Sequence, residues 1–303
     1  MMKKYIFNIG KSTWRMLILA LCVMLTSCTE RIDLTTNNAA PRLVITGYIT
    51  TEARQHTVSV SQTMPYLGAA EHITFSHAVV KINDDELSAA GNGVYVTDSS
   101  FCGVPGHTYK LDVELDYNGD GVSERYTAET TMPPMHTLDS ITLFPAFENM
   151  PADDPTILVL VHFQDLGNVI NTFGAHLYIN DTLYSNKIQR YFLNPFDLYA
   201  ADGMYINFLP YALRKEMRWD NEQRKYIYSG DTITVELNMI APDYFEFIRT
   251  ASLEISGGNP LFAGPPANVP SNISGGALGY FGSYTISRAT TVLSDKYGFP
   301  KRK

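Results

Sequence analysis

Between residues 41 and 133 apolar positions recur every second residue in short runs, 43–49, 56–61, 77–82, 91–96, 107–115 and 125–130, each broken off by Gly, Asn, Asp or Pro. Alternation of period two, rich in β-branched and aromatic residues, predicts strands that turn one face to a core. Six such runs in one stretch predict an immunoglobulin-like β-sandwich over 41–133. Met132-Pro133-Pro134 closes it, since consecutive prolines cannot donate to a ladder, and a domain boundary is expected there. A second β-rich domain over 134–303 follows, with strands at 140–144, 156–163, 175–180, 232–237 and 284–292. The run at 156–163 is apolar enough to predict burial on both faces. Asp220-Asn221-Glu222-Gln223 is expected at the tip of a hairpin, and 259–276 is too rich in Pro and Gly for regular structure. One packed helix is predicted near 242–256: Pro242 suits its first turn, Tyr244, Phe245, Phe247, Ile248, Ala251 and Ile255 recur at helical spacing, and Gly257-Gly258 stops it. The fold class is therefore mainly β.

The N-terminus has a different pattern. An apolar run from Met16 to Leu25 follows Lys3, Lys4, Lys11 and Arg15 and ends in Leu25-Thr26-Ser27-Cys28. About ten apolar residues fall well short of the roughly 20 that span a bilayer as a helix, so 1–27 reads as a signal peptide. The residues before Cys28 resemble the bacterial lipobox, which directs a diacylglycerol group to the cysteine thiol and cleavage just before it. Cys28 is then the lipidation site and mature N-terminus, and the polar stretch 28–40 a tether. Thr29 follows the cysteine, so the aspartate that retains some lipoproteins at the inner membrane is absent and an outer-membrane address is expected, with the leaflet open.

Charge narrows the partners. The chain has 23 basic and 31 acidic residues; loss of the four leader cations leaves 19 against 31. So acidic a body offers no clustered cations for nucleic acid, and membrane affinity rests on the acyl chains, each buried methylene contributing about 0.8 kcal/mol. No cofactor is expected beyond this covalent lipid. Cys22 leaves with the leader and Cys28 is acylated, so Cys102 is the remaining thiol, expected as a small buried hydrophobe.

The order of features resembles a family of Bacteroidota outer-membrane lipoproteins known as domain of unknown function 4249. The lipobox, Arg42 to Ile49, Val58 to Ser61, Gly93-Val94-Tyr95, the Pro-Asp-Tyr-Phe-Glu-Phe start at Pro242 and, most specifically, Asn272-Ile273-Ser274-Gly275-Gly276-Ala277-Leu278-Gly279-Tyr280-Phe281 carry it. Family members are often encoded beside TonB-dependent transporters, so the resemblance implies an accessory role at the cell envelope with such a β-barrel as partner. It implies no catalytic residues.

Candidate chemistry is sparse. Asp116-Tyr117-Asn118-Gly119-Asp120-Gly121 imitates the start of a calcium loop, with Asp116, Asn118 and Asp120 as ligands, but position twelve is Thr127, and a hairpin turn accounts for the segment more simply. Seven dispersed histidines lack zinc spacing, although His162 and His176 could meet across neighbouring strands. Asp153 and Asp154 are adjacent in a Pro-flanked loop and face opposite ways, which disfavours a shared acid pair. No nucleophile elbow, zincin motif or phosphate loop occurs. The aromatic stretch with Tyr191, Phe192, Phe196, Tyr199 and Tyr205 either packs into the second core or forms a ligand-binding surface. The sequence thus predicts a lipid-anchored, non-enzymatic binding partner of a nutrient transporter; a surface polysaccharide-processing enzyme and an adhesin or fimbrial subunit are the alternatives.

Overall fold

The computed structural model describes residues 40–64, 73–147, 155–170, 172–184, 187–194, 202–218, 224–256 and 269–302. Among them the chain is mainly β, and residues 40–303 form one compact unit. The strands are β1 (Leu43–Thr50), β2 (Thr57–Gln62), β3 (Val79–Ile82), β4 (Asp85–Glu86), β5 (Ser88–Gly91), β6 (Val94–Val96), β7 (Thr108–Leu115), β8 (Glu124–Thr131) and β9 (Leu138–Pro145). They continue with β10 (Thr156–Gln164), β11 (Thr172–Ile179), β12 (Thr182–Leu183), β13 (Phe192–Asn194), β14 (Tyr205–Arg214), β15 (Glu216–Arg218), β16 (Arg224–Tyr226), β17 (Thr232–Ile240) and β18 (Leu278–Val292). The helix α1 spans Pro242–Ser256, and a short 3-10 turn spans Ile188–Arg190.

A nine-stranded sheet in the order β12-β11-β17-β18-β1-β2-β6-β5, with β13 also on β11, forms one layer. The three-stranded sheet β14-β10-β9 shares one core with it, through Phe163, Val159, Phe173, Leu177, Val235 and Leu237. The four-stranded sheet β4-β3-β7-β8 shares a second, through Ile45, Val60, Ile82, Leu111, Val113 and Phe281. The sequence places a boundary at Pro133-Pro134; in the structure one core draws only on residues after it, the other on residues before it together with Ile273, Ala277 and Phe281, and one sheet runs through both. Its seam is the parallel pairing of β1 with β18, Val44 opposite Leu278 through Thr50 opposite Tyr284.

The Asn272–Phe281 motif builds this seam. The Asn272 amide donates to the Phe281 carbonyl (2.7 Å) and accepts from its N–H (2.9 Å), and Ser274 ties to Thr127 of β8 through backbone and hydroxyl. Gly279, at φ 105°, lies so close to β1 that a Cβ would sit 2.0 Å from the Ile45 carbonyl oxygen, so a side chain there would separate the two strands.

Several expectations are corrected. β10 alternates buried and half-buried positions instead of being buried on both faces, because only one of its faces meets the nine-stranded sheet. Cys102 is exposed, on a turn where its thiol donates to the Thr51 carbonyl (3.1 Å). The strand expected from residue 284 begins at Leu278, and β14 joins the sheet where the pattern showed only interrupted aromatics.

Candidate functional site

Because side chains alternate along a strand, the face of the nine-stranded sheet turned away from the two cores is defined by the other parity of the same strands. His176 of β11 pairs in register with Glu236 of β17, and Glu236 with Arg288 of β18, so these three form one row across the outer face. The adjacent row on β11 and β17 carries Gly174 and Asn238, and β18 and β1 add Tyr280, Gly282, Tyr284 and Tyr48. The helix lies over part of this face: Phe245 and Ile248 pack with Ile240, joined by Tyr244, Phe247, Tyr284, Tyr191, Leu193 and Ile188.

A polar network occupies the middle. Glu236 is only 3% exposed, and both its oxygens are engaged. Arg288 Nε (2.9 Å) and the Tyr178 hydroxyl (3.1 Å) donate to one, and the Asn238 amide (3.0 Å) to the other. Arg288 also pairs with Glu52, from the loop after β1, and its guanidinium lies 5.8 Å from the Tyr178 ring centre. Arg54 stands 3.8 Å from Glu52 and over the Tyr48 ring. Two carboxylates thus meet two guanidiniums, as a charge in so dry a place requires. Burial opposes the charge on Arg288, but the hydrogen bonds and fields of Glu52 and Glu236 outweigh it and hold its pKa above the usual value. The hydrogen bond from Arg288 lowers that of Glu52. Burial raises Tyr178 to about 12 and lowers His176, so the phenol keeps its proton and the imidazole is neutral.

Beside this network lies a groove of about 300 Å³, between the sheet, α1 and the Ile188–Arg190 turn. Aromatic rings line it: Tyr48 stacks on Tyr284 (5.7 Å), Tyr284 is near-parallel to Tyr244 (6.4 Å), and Tyr244 stacks on Tyr280 (5.1 Å). On the other wall His176 packs against Tyr191 at 4.4 Å, and the Tyr191 hydroxyl donates to Asn238 (2.9 Å). Two glycines make room. A Cβ on Gly174 would collide with the Tyr191 ring, and one on Gly282 would press the Tyr244 ring at 3.3 Å. Burial raises the pKa of Tyr191, Tyr244 and Tyr284, leaving neutral phenols.

The aromatic residues that the sequence leaves as either core or binding surface divide between the two. Tyr191 lines the groove, whereas Phe192, its neighbour on the edge beside β11, turns the opposite way and stacks on Phe208 (5.3 Å) against the core. Tyr205 is exposed at the start of β14, bonded to Asp139. Phe196, Tyr199, Cys28, Asp153 and Asp154 lie outside the described residues. Asp116 is used by its own turn: its carboxylate accepts the N–H groups of Gly119 (2.7 Å), Asp120 (3.1 Å) and Gly121 (2.8 Å), while Asn118 bonds Glu124 and Asp120 the Val122 N–H. His162 bonds Thr142 (2.8 Å) and Asn207 within the three-stranded sheet, so it does not meet His176. Among the described residues no cluster of His, Cys, Asp and Glu is arranged to hold a metal ion. The sequence does not announce Tyr48, Tyr244, Tyr284, Glu236 and Arg288 as a group; the signal present is a single charged residue in each of two otherwise uncharged strands.

Fold and site define a two-layer β protein with an aromatic groove on the open face of its large sheet. The family model described as "Domain of unknown function (DUF4249)" matches residues 29–290, and the chain belongs to that family. No curated protein and no solved structure matches the chain.

Proposed function

We propose that this protein is a lipid-anchored component of the outer membrane, held by an acylated Cys28, and that it works by binding and not by turnover, as an accessory of a TonB-dependent β-barrel transporter. The groove on the outer sheet face supports this reading most. It joins large, rigid aromatic area to neutral hydroxyls, which is how recognition surfaces gain contact at low entropic cost. The acids beneath it are committed to Arg288 and Arg54, so they serve the architecture instead of standing ready to move protons. The leader supplies the anchor, and the family match starting at residue 29, directly after Cys28, agrees with a mature chain that begins at the thiol.

The test is fractionation followed by capture. Wild-type protein is expected with the membrane fraction and, after detergent extraction, in a complex with a β-barrel. Cys28→Ser should release it from the membrane. A Cys28→Ser protein that still sediments with membranes, or wild type recovered alone, would overturn the proposal.

A further inference from the structure

We infer that the groove between α1 and the Ile188–Arg190 turn is a saccharide subsite, with the rings of Tyr48 and Tyr284 meeting the C–H face of a sugar and the hydroxyls of Tyr48, Tyr244 and Tyr284 meeting its oxygens. This rests on the reading of the groove as a recognition surface and names what it takes. Three observations select the ligand.

The first is the state of the hydroxyls. The Tyr191 hydroxyl donates a hydrogen bond to Asn238 and Tyr280 bonds Asp243, but among the described residues no protein group hydrogen-bonds the hydroxyls of Tyr48, Tyr244 or Tyr284. The phenols of Tyr244 and Tyr284 are neutral, so each can both donate and accept, as sugar hydroxyls also do. The second is the floor. β17 is paired along both sides, whereas β18 pairs with β1 as far as Tyr284 and with β17 from Tyr284 onward, the Phe281 main chain before that point being bonded by the Asn272 amide. A peptide recognised by strand addition would find no free edge on β17, and a ligand over it is read by side chains, the rings and hydroxyls together with His176 and Lys187 of the lining. The third is charge. Glu52 and Glu236 are matched by Arg288 and Arg54, and the one further charged residue in the lining is the cation Lys187, which leaves no surplus negative charge to draw a cation into the aromatic walls. A volume of about 300 Å³ is at the small end of ligand pockets, fitting one or two sugar rings. An uncharged molecule with an apolar face and a rim of hydroxyls satisfies all three conditions.

The experiment uses full-length lipoprotein extracted in detergent and titrated calorimetrically with maltose, cellobiose, xylobiose, mannobiose and chitobiose, and separately with tetramethylammonium chloride. At least one disaccharide should bind saturably. Tyr48→Ala, which removes an exposed ring, should weaken that binding by about tenfold or more. Tyr244→Phe and Tyr284→Phe, which remove one oxygen each and keep the packing, should each weaken it by roughly fivefold. The urea midpoint of every variant, unchanged, separates loss of the site from loss of the fold. The inference is overturned by absence of binding to any of these sugars at millimolar concentration, by sugar binding that all three variants leave intact, or by saturable tetramethylammonium binding that Tyr48→Ala abolishes. The two proposals fail separately. Sugar binding by a protein that neither sediments with membranes nor captures a barrel would sustain the subsite and sink the envelope role, and an anchored, barrel-bound protein that ignores every sugar would do the reverse.

Discussion

The two faces of the nine-stranded sheet are written in the same strands yet have opposite chemistry. On β17 the inward parity is Ile233, Val235, Leu237 and Met239, all buried in one aliphatic core, and the outward parity is Thr234, Glu236, Asn238 and Ile240. Each outward group is buried as well, but under a helix, a turn and a set of side chains that bond one another. The inner face is held by the area it removes from water, a non-directional force; the outer face is held by directional contacts and stays open at the groove. If the groove recognises a ligand as proposed, stability and recognition can be altered independently by residues one position apart.

The largest effect tests the inner face. Leu237→Ala should destabilise the protein by about 2–5 kcal/mol, the range for emptying a packed aliphatic site, and lower the urea midpoint accordingly. A midpoint within error of wild type would remove the distinction between the faces. Second comes the ion network. Arg288→Leu leaves the buried Glu236 with only Tyr178 and Asn238; because Arg288 is itself 40% exposed, the loss should be about 2 kcal/mol, below the 3–5 of a fully buried pair. It should also lift the apparent pKa of Glu52, which Arg288 holds down, and carboxyl NMR titration reads that shift.

The third prediction concerns pH, and its sign follows from His56, which is 2% exposed and anchors the loop carrying Glu52 by a bond to Thr50 (2.9 Å). Burial lowers its pKa from 6.5 to about 4. Below 6.5 the unfolded chain takes up a proton that the folded one refuses, so stability is full above that value and falls as pH drops toward 4. Glu52 adds to the decline at its lower end, losing its contribution as pH falls through its depressed pKa. Urea midpoints between pH 7.5 and 4 should trace this slope, and His56→Gln should flatten it; an equal slope in the variant would assign the acid limb elsewhere.

Much of the fold is legible in the chain, because a strand with one buried face must alternate. β1, β2, β7, β8, β9, β10 and β17 fall where the pattern puts them, and α1 begins at Pro242 as its spacing predicts. What alternation cannot convey is which strands are neighbours. The pairing of β1 with β18 joins residues more than two hundred positions apart, and it makes one sheet where the Pro133-Pro134 stop suggests two domains. β14 escapes the pattern because Pro210 interrupts it; the structure places that proline on the edge strand of the three-stranded sheet, where a missing N–H costs least. The site is less legible still. Tyr48, His176, Tyr191, Tyr244 and Tyr284 come from β1, β11, the turn before β13, α1 and β18, and no spacing within any of these announces that they meet. The clustered aromatics at 191–211 are compatible with either core or surface, and the flip between Tyr191 and Phe192 sends only the first of that pair to the groove.

The smallest expected effect on stability is also the most direct test of the central claim that the outer face recognises while the inner face holds. Tyr48 is 38% exposed, so Tyr48→Ala should shift stability by only about 0.5 kcal/mol. Calorimetric titration of that variant against the disaccharide that wild type binds best, at equal urea midpoints, is the decisive measurement. The account predicts an intact fold with binding weakened by at least about tenfold. Binding equal to wild type, or a fold lost together with it, would contradict it.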